Sequence, residues 1–229
     1  QVIADFDGDG KLDIIFASNG PIQFLRNTSS PGTLNFDSYL TLTSNLNFDQ
    51  ISAGDFNNDG KIDFVAEGGN ILRTYINNSS GSGNISFAAN ITVNVGGRCT
   101  GIQCVDVDGD GLTDILATQG DYDRVISLRN SNTSNSNTFS FESPEFWNSG
   151  GLYPFRCQIG DFDKDGKIDL ITCNFNGTAN TAILRNSSSL GDISFATSVN
   201  LSAPASNFRI VVGDVNGDGL PDIVTRSLS

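Results

Sequence analysis

Eighteen of the chain's 26 acidic residues fall in five ten-residue segments that align without gaps. They are DFDGDGKLDI from Asp5, DFNNDGKIDF from Asp55, DVDGDGLTDI from Asp106, DFDKDGKIDL from Asp161 and DVNGDGLPDI from Asp214. With the opening aspartate as position 1, side-chain oxygens recur at positions 1, 3, 5 and 9, and glycine at position 6. Glycine lets the chain turn sharply there, so the four side-chain oxygens converge and the carbonyl of position 7 points inward. Three or four carboxylates with a carbonyl and water make a flexible, oxygen-only cage. That chemistry suits calcium, whereas magnesium demands a tighter octahedron and zinc favours nitrogen or sulfur. Without an ion the clustered carboxylates repel one another, and empty sites should weaken the fold. One such Asp–Gly cluster reads as a turn; five in register do not.

The elements that position these loops follow from their spacing. Successive loops start 50, 51, 55 and 53 residues apart. Between them recur a strand-like stretch ending in an Asn-rich turn (FLRNTSS, TYINNSS, SLRNSNT, ILRNSSS) and a Phe-centred stretch (LNFDS, ISFAA, FSFES, ISFAT). Each unit reads as four short strands. In the third unit these are IQCVD (102–106) running into the loop, LTDILAT (112–118) leaving it, VISLRN (125–130) and TFSFES (138–143). Helical periodicity is absent, so the fold class is all-β. Four strands in about 50 residues match a β-propeller blade. An EF-hand would need Glu at position 12 and flanking helices. Position 12 is Phe16, Ala66, Ala117, Thr172 and Thr225, between strand-like flanks, which excludes it.

These loops, at this spacing and between strands, resemble FG-GAP or VCBS-type repeats, which are similar to the calcium blades of integrin α-subunit propellers. The resemblance covers essentially the whole chain. It implies a propeller in which each loop joins the first strand of a blade to the second. Carried over residue by residue, it implies five calcium sites: Asp5, Asp7, Asp9 and Asp13; Asp55, Asn57, Asp59 and Asp63; Asp106, Asp108, Asp110 and Asp114; Asp161, Asp163, Asp165 and Asp169; Asp214, Asn216, Asp218 and Asp222. The backbone ligands would be the carbonyls of Lys11, Lys61, Leu112, Lys167 and Leu220. Asn57 and Asn216 keep an oxygen and lose a charge, so their sites should bind more weakly. The repeats run approximately 1–50, 51–99, 100–155, 156–207 and 208–229, within one partial propeller domain spanning 1–229. Four units are full and the fifth holds two strands, so the expectation is part of a larger ring of six to eight blades.

Composition agrees. The net charge of −13 is mostly a metal-site charge, because outside the loops only 8 acids stand against 9 bases, and five divalent ions would carry −13 to −3. The absence of histidine removes His-based acid–base catalysis, Ser–His and Cys–His nucleophile pairs, and imidazole zinc sites. The bases form no cluster, so nucleic-acid binding lacks support. No apolar run approaches the ~20 residues of a membrane span. The chain opens at Gln1, four residues before the first loop, and reads as mature or trimmed, with any export signal upstream.

Cys157 and Cys173 lie four residues before and four after the fourth loop, so an intra-blade disulfide is expected ahead of two buried thiols; Cys99 and Cys104 could close a second bridge. Disulfides would favour an oxidising compartment. The segment EFWNSGGLYPFR (145–156) gathers Trp147, Tyr153 and Phe155 with Phe146, a candidate ligand surface against the plainer reading of packing between blades. The sequons at Asn27, Asn84, Asn90 and Asn186 read as turn chemistry, of bacterial character. The functional expectation is a non-catalytic, calcium-binding adhesion module of a secreted or cell-surface protein, holding a protein or glycan ligand. The alternative is a calcium-dependent propeller enzyme, a polysaccharide lyase or hydrolase. It would draw a carboxylate pair from Asp37, Asp49, Glu67, Asp121, Asp123, Glu142, Glu145 and Asp192.

Overall fold

The second strand of each repeat starts on the position-9 aspartate and continues in residues that prefer a pleated, buried surface. In a computed structural model, which describes residues 1–17, 20–42, 48–132, 140–176, 181–201 and 207–227, those strands are central in the four-stranded sheets. The first sheet holds β1 (Val2–Ala4), β2 (Asp13–Phe16), β3 (Gln23–Leu25) and β4 (Leu40–Thr41). The second holds β5 (Gln50–Gly54), β6 (Asp63–Gly68), β7 (Ile71–Asn77) and β8 (Phe87–Asn94). The third holds β9 (Gly101–Val105), β10 (Asp114–Gln119), β11 (Arg124–Leu128) and β12 (Glu145–Asn148). The fourth holds β13 (Leu152–Gly160), β14 (Asp169–Asn176), β15 (Thr181–Leu184) and β16 (Val199–Leu201). Strands β17 (Asn207–Gly213) and β18 (Asp222–Ser227) form a two-stranded sheet. In the four larger sheets the strand order is the sequence order and every pairing is antiparallel. Among the described residues the only helical element is one 3₁₀ turn at Gly120–Tyr122, and no helix is long and apolar enough to cross a membrane.

Burial follows strand position. All six residues of β10 are buried, whereas β12 and β16 present mostly exposed or half-buried residues. A strand covered on both faces must be apolar on both, and Ile115, Leu116 and Ala117 are. The chain divides into two packed units, one built from Gln1–Gly96 and one from Gly97–Ser131 with Phe141 onward. In the first unit Phe6, Phe24, Phe48, Phe64 and Tyr75 form an aromatic core, with Phe64 stacked on Tyr75 at 4.6 Å and Phe6 edge-on to Phe24 at 6.0 Å. Burying one such ring contributes about 2–3 kcal/mol. In the second unit Val107, Leu116, Val125, Leu170, Leu184, Ile193 and Phe195 form one cluster, and Ile171, Cys173 and Ile210 another.

Two sequence expectations are corrected here. The fourth strand of the third sheet is Glu145–Asn148, not 138–143. Residues 138–139 lie outside the described residues, and Phe141 makes a single bridge to Asn130. Phe36 and Phe195 do the same opposite Asn27 and Asn186. These phenylalanines pin the hairpin that follows the third strand, and the edge strand begins after them in the first and fourth sheets as well.

The second correction concerns the cysteines, none of which is joined in a disulfide. The β13–β14 register pairs Gly160 with Asp169, hence Cys157 with Thr172 and Arg156 with Cys173. The two cysteines are therefore one step out of register and face opposite sides of the sheet. Cys157 packs with Val107, Leu116 and Leu170, and Cys173 packs with Ile171 and Ile210. No disulfide can span the sheet from that arrangement without moving backbone. Burial pushes the Cys157 thiol up to about 12 and the Cys173 thiol up to about 11. A thiol reagent should therefore react slowly with both in the native protein and titrate four thiols per chain after denaturation without reductant. Two thiols per chain would restore a disulfide.

Candidate metal centres

Each loop is a repeated scheme of backbone N–H groups closing on carboxylate oxygens. The position-6 glycines Gly10, Gly60, Gly111, Gly166 and Gly219 all take positive φ, between 77° and 85°. Their N–H groups donate to the position-1 carboxylates at 2.8–3.0 Å. The N–H of position 5 donates to the side-chain oxygen of position 3 in all five loops, at 2.8–3.2 Å. The N–H of position 7 donates to position 5 at 2.8–3.0 Å. Position 4 is also left-handed, and holds Asn58 (58°) and Lys164 (61°) where other loops have glycine.

In the four larger sheets the position-9 carboxylate is buried. Asp13, Asp63 and Asp114 are 0% exposed and Asp169 1%. One oxygen accepts the N–H of position 2, from Phe6, Phe56, Val107, Phe162 and Val215, at 2.9–3.1 Å. In the four larger sheets the other accepts the N–H of the asparagine at or two residues past the end of the third strand: Asn27, Asn77, Asn130 and Asn186, at 2.7–2.8 Å. That asparagine returns its amide to the position-8 carbonyl at 3.0–3.1 Å. Asn77 also donates to Phe6 O (2.8 Å) and Asn186 to Val107 O (2.9 Å), so each reaches the loop of the preceding sheet. Asn186 is 1% exposed and its amide is fully engaged, which fits turn chemistry and leaves no room for a glycan.

Burial pushes Asp63 and Asp114 up to about 7, with the charges of Asp59 and Asp55, or Asp108 and Asp110, adding to it against the two N–H bonds. Asp13 and Asp169 are raised in the same way, by burial first. A buried carboxylate facing like charges is stabilised as an anion by a cation placed among them. The donor sets fit one. Asp5, Asp7 and Asp13 bring a carboxylate oxygen each to within 4.8 Å of one another, as do Asp106, Asp108 and Asp114, and Asp161, Asp163 and Asp169. The set is oxygen-only, as calcium requires. Loops two and five carry Asn57 and Asn216 at the position that completes these groups.

Arginines that the spacing alone did not single out also enter the loops. Arg26 Nε bonds to Asp7 Oδ2 (2.6 Å) and its Nη2 to Asp9 Oδ2 (2.8 Å). Arg129 bonds to Asp108 (2.6 Å) and Asp110 (2.5 Å), and Arg185 to Asp163 and Asp165. Each precedes the latching asparagine, so the recurring Arg-Asn of FLRN, SLRN and ILRN was the available signal. Burial alone would raise Asp7, but the Gly83 N–H and Arg26 hold it below the usual carboxylate range. Arg185 lowers Asp163.

The three candidate ligand-binding aromatics occupy different settings. Trp147 packs edge-on to Phe195 at 5.5 Å and donates to Ser127 Oγ at 2.9 Å. Tyr153 lies edge-on to Phe175 at 6.4 Å, and Phe155 sits under Arg156 at 5.0 Å. The exposed rings of this region are instead Tyr122 and Phe146, each 52% exposed, with the Arg124 guanidinium 4.5 Å and 3.9 Å from their centres. Of the acids outside the loops, Glu142, Glu145 and Asp192 line one recess with Arg129, which bonds to Glu142 at 2.9 Å.

Comparison with known proteins places this geometry. The FG-GAP-like repeat family matches four times, over residues 5–66, 64–117, 106–172 and 161–225, and the chain belongs to that family. A lectin of Agrocybe aegerita, whose structure describes specific recognition of non-reducing terminal N-acetylglucosamine, is similar in fold, with a TM-score of 0.63 at 19% identity. The likeness covers 98% of this chain and 60% of the lectin chain, so this chain spans less than two thirds of that length. No curated protein sequence matches. Family and neighbour together give a β-propeller-like repeat fold.

The asparagine latch makes a stability prediction. Asn186→Ala removes three hydrogen bonds from a buried site and should cost about 2–4 kcal/mol in urea unfolding. Asn27→Ala, at a half-exposed position with fewer side-chain bonds, should cost about 1 kcal/mol. Equal small losses at both would show that the latch is not a structural element.

Proposed function

We propose that this chain is a calcium-stabilised, non-catalytic ligand-binding module with a β-propeller arrangement of its repeats, carried by a secreted or cell-surface protein, probed by protein or glycan ligands. The observation that carries the calcium reading is the convergence of position-1, -3 and -9 carboxylates within 4.8 Å, with the position-9 group buried. Positions 1, 3, 5 and 9 would hold the ion together with the position-7 carbonyl. Bound calcium would supply charge neutralisation; the chain's own groups supply the turn, the N–H scaffold and the latch. The ligand reading draws on the lectin fold neighbour and on the exposed Tyr122–Arg124–Phe146 surface. Aromatic faces beside a guanidinium offer stacking and hydrogen bonding to a sugar.

Thermal unfolding in millimolar calcium and then in EDTA tests the first part. Ions that bind only the folded state raise the melting temperature, and several sites at 100-fold excess over Kd should raise it by at least about 10 °C. Equal magnesium should not reproduce the rise. No difference between calcium and EDTA would overturn the calcium reading. A glycan array including N-acetylglucosamine-terminated chains tests the ligand class: binding that weakens in Phe146→Ala supports a glycan, and an array without signal removes the glycan arm in favour of a protein ligand.

A further inference from the structure

The repeats carry an internal control for the arginines. Where position 3 is Asp (Asp7, Asp108, Asp163), the residue before the latching asparagine is Arg26, Arg129 or Arg185, and the guanidinium bonds to the Oδ2 atoms of positions 3 and 5. Where position 3 is Asn57, the same place holds Ile76, which is buried at 4% exposure. Counting the four side-chain ligand positions and the guanidinium that touches them, loops one, three and four carry −3, the same as loop two with its three aspartates and no arginine; in loop one the more exposed Lys11 Nζ also lies 3.3 Å from Asp9. Carboxylate number alone would make loop two the weakest of the four.

We infer that Arg26, Arg129 and Arg185 set the calcium affinity of their loops: each cancels the charge of the extra position-3 carboxylate and occupies one of its oxygens, levelling the loops. This rests on the calcium reading above. The position-3 oxygen is engaged further in two loops, by Gly83 N–H on Asp7 Oδ2 at 2.7 Å and by Gly191 N–H on Asp108 Oδ2 at 3.1 Å, both from the hairpin of the following repeat. Arg129 is also bonded to Glu142 at 2.9 Å, and Arg26 to Ser82 Oγ at 2.9 Å with Asp37 at 3.9 Å. These contacts fix the Arg129 and Arg26 guanidiniums as built-in cations, whereas Arg185 is held, among the described residues, by Asp163 and Asp165 alone and is half exposed. The arginine is a positioning and affinity-setting residue, not a ligand.

A loop-resolved titration distinguishes this from a purely structural role. The Gly111 amide, bonded to Asp106, reports the third loop by NMR, and the Gly10 amide, bonded to Asp5, reports the first. In chelator-buffered calcium, Arg129→Gln should lower the Gly111 midpoint by about tenfold, the effect of unmasking one charge beside a divalent ion, and leave Gly10 unchanged. The double variant Asp108→Asn with Arg129→Gln copies the composition of loop two and should return the Gly111 midpoint to within about twofold of the original. A merely structural arginine would give the opposite sign, weaker binding in Arg129→Gln. That result, or an unchanged midpoint, or a double variant that stays shifted, overturns the inference. If calcium moves no loop glycine in the unaltered chain, the calcium reading itself falls and this inference with it.

Discussion

The structure turns on a buried carboxylate at the head of the second strand of each of the first four repeats. Asp13, Asp63, Asp114 and Asp169 are sealed from solvent and face like charges across the loop. A group so placed must be hydrogen-bonded and compensated, because an isolated buried charge costs several kcal/mol. Two backbone N–H groups meet the first requirement in each of the four larger sheets. The convergence of the other carboxylates defines where compensation by a cation would act. The strand geometry, the latching asparagine and the left-handed glycines are all consequences of bringing that oxygen to that place.

The same carboxylate explains how neighbouring repeats communicate. Its acceptor bond fixes Asn77 or Asn186, whose amide then reaches the position-2 carbonyl of the preceding loop. The position-3 carboxylate is reached in turn by a glycine N–H of the following hairpin. Loops one and three are therefore joints between neighbouring sheets as well as candidate ion sites. On the proposed reading, losing charge compensation in either of these loops should loosen two sheets at once.

Much of this was legible in the residues because it repeats in register. The loops, the first three strands of each unit and the four-strand count follow from local spacing, and local spacing is what a sequence displays. The fourth strand was misplaced because Phe141 and its counterparts look like strand centres, yet each makes one bridge and anchors a hairpin. The cysteine pairing failed on a single step of register. Pairing begins at Gly160 on one side and Asp169 on the other, so counting outward from Asp161 and Asp169 puts the thiols on opposite faces. The arginines went unread because an Arg before Asn has no meaning in isolation; its partners lie about twenty residues away, across the sheet. Tyr122 escaped for the same reason, since Arg124 joins it to Phe146 only in the folded chain.

The most direct test of the account is the calcium content of the chain itself. Equilibrium dialysis against micromolar radioactive calcium at 0.15 M salt, with magnesium in excess, counts the ions held by the native protein. The account predicts four to five calcium ions per chain, one for each aspartate loop, falling by one when Asp114 is replaced by Ala in a protein that remains folded. Retention of less than one ion per chain under those conditions would contradict it, and the buried carboxylates would then have to be explained without a metal.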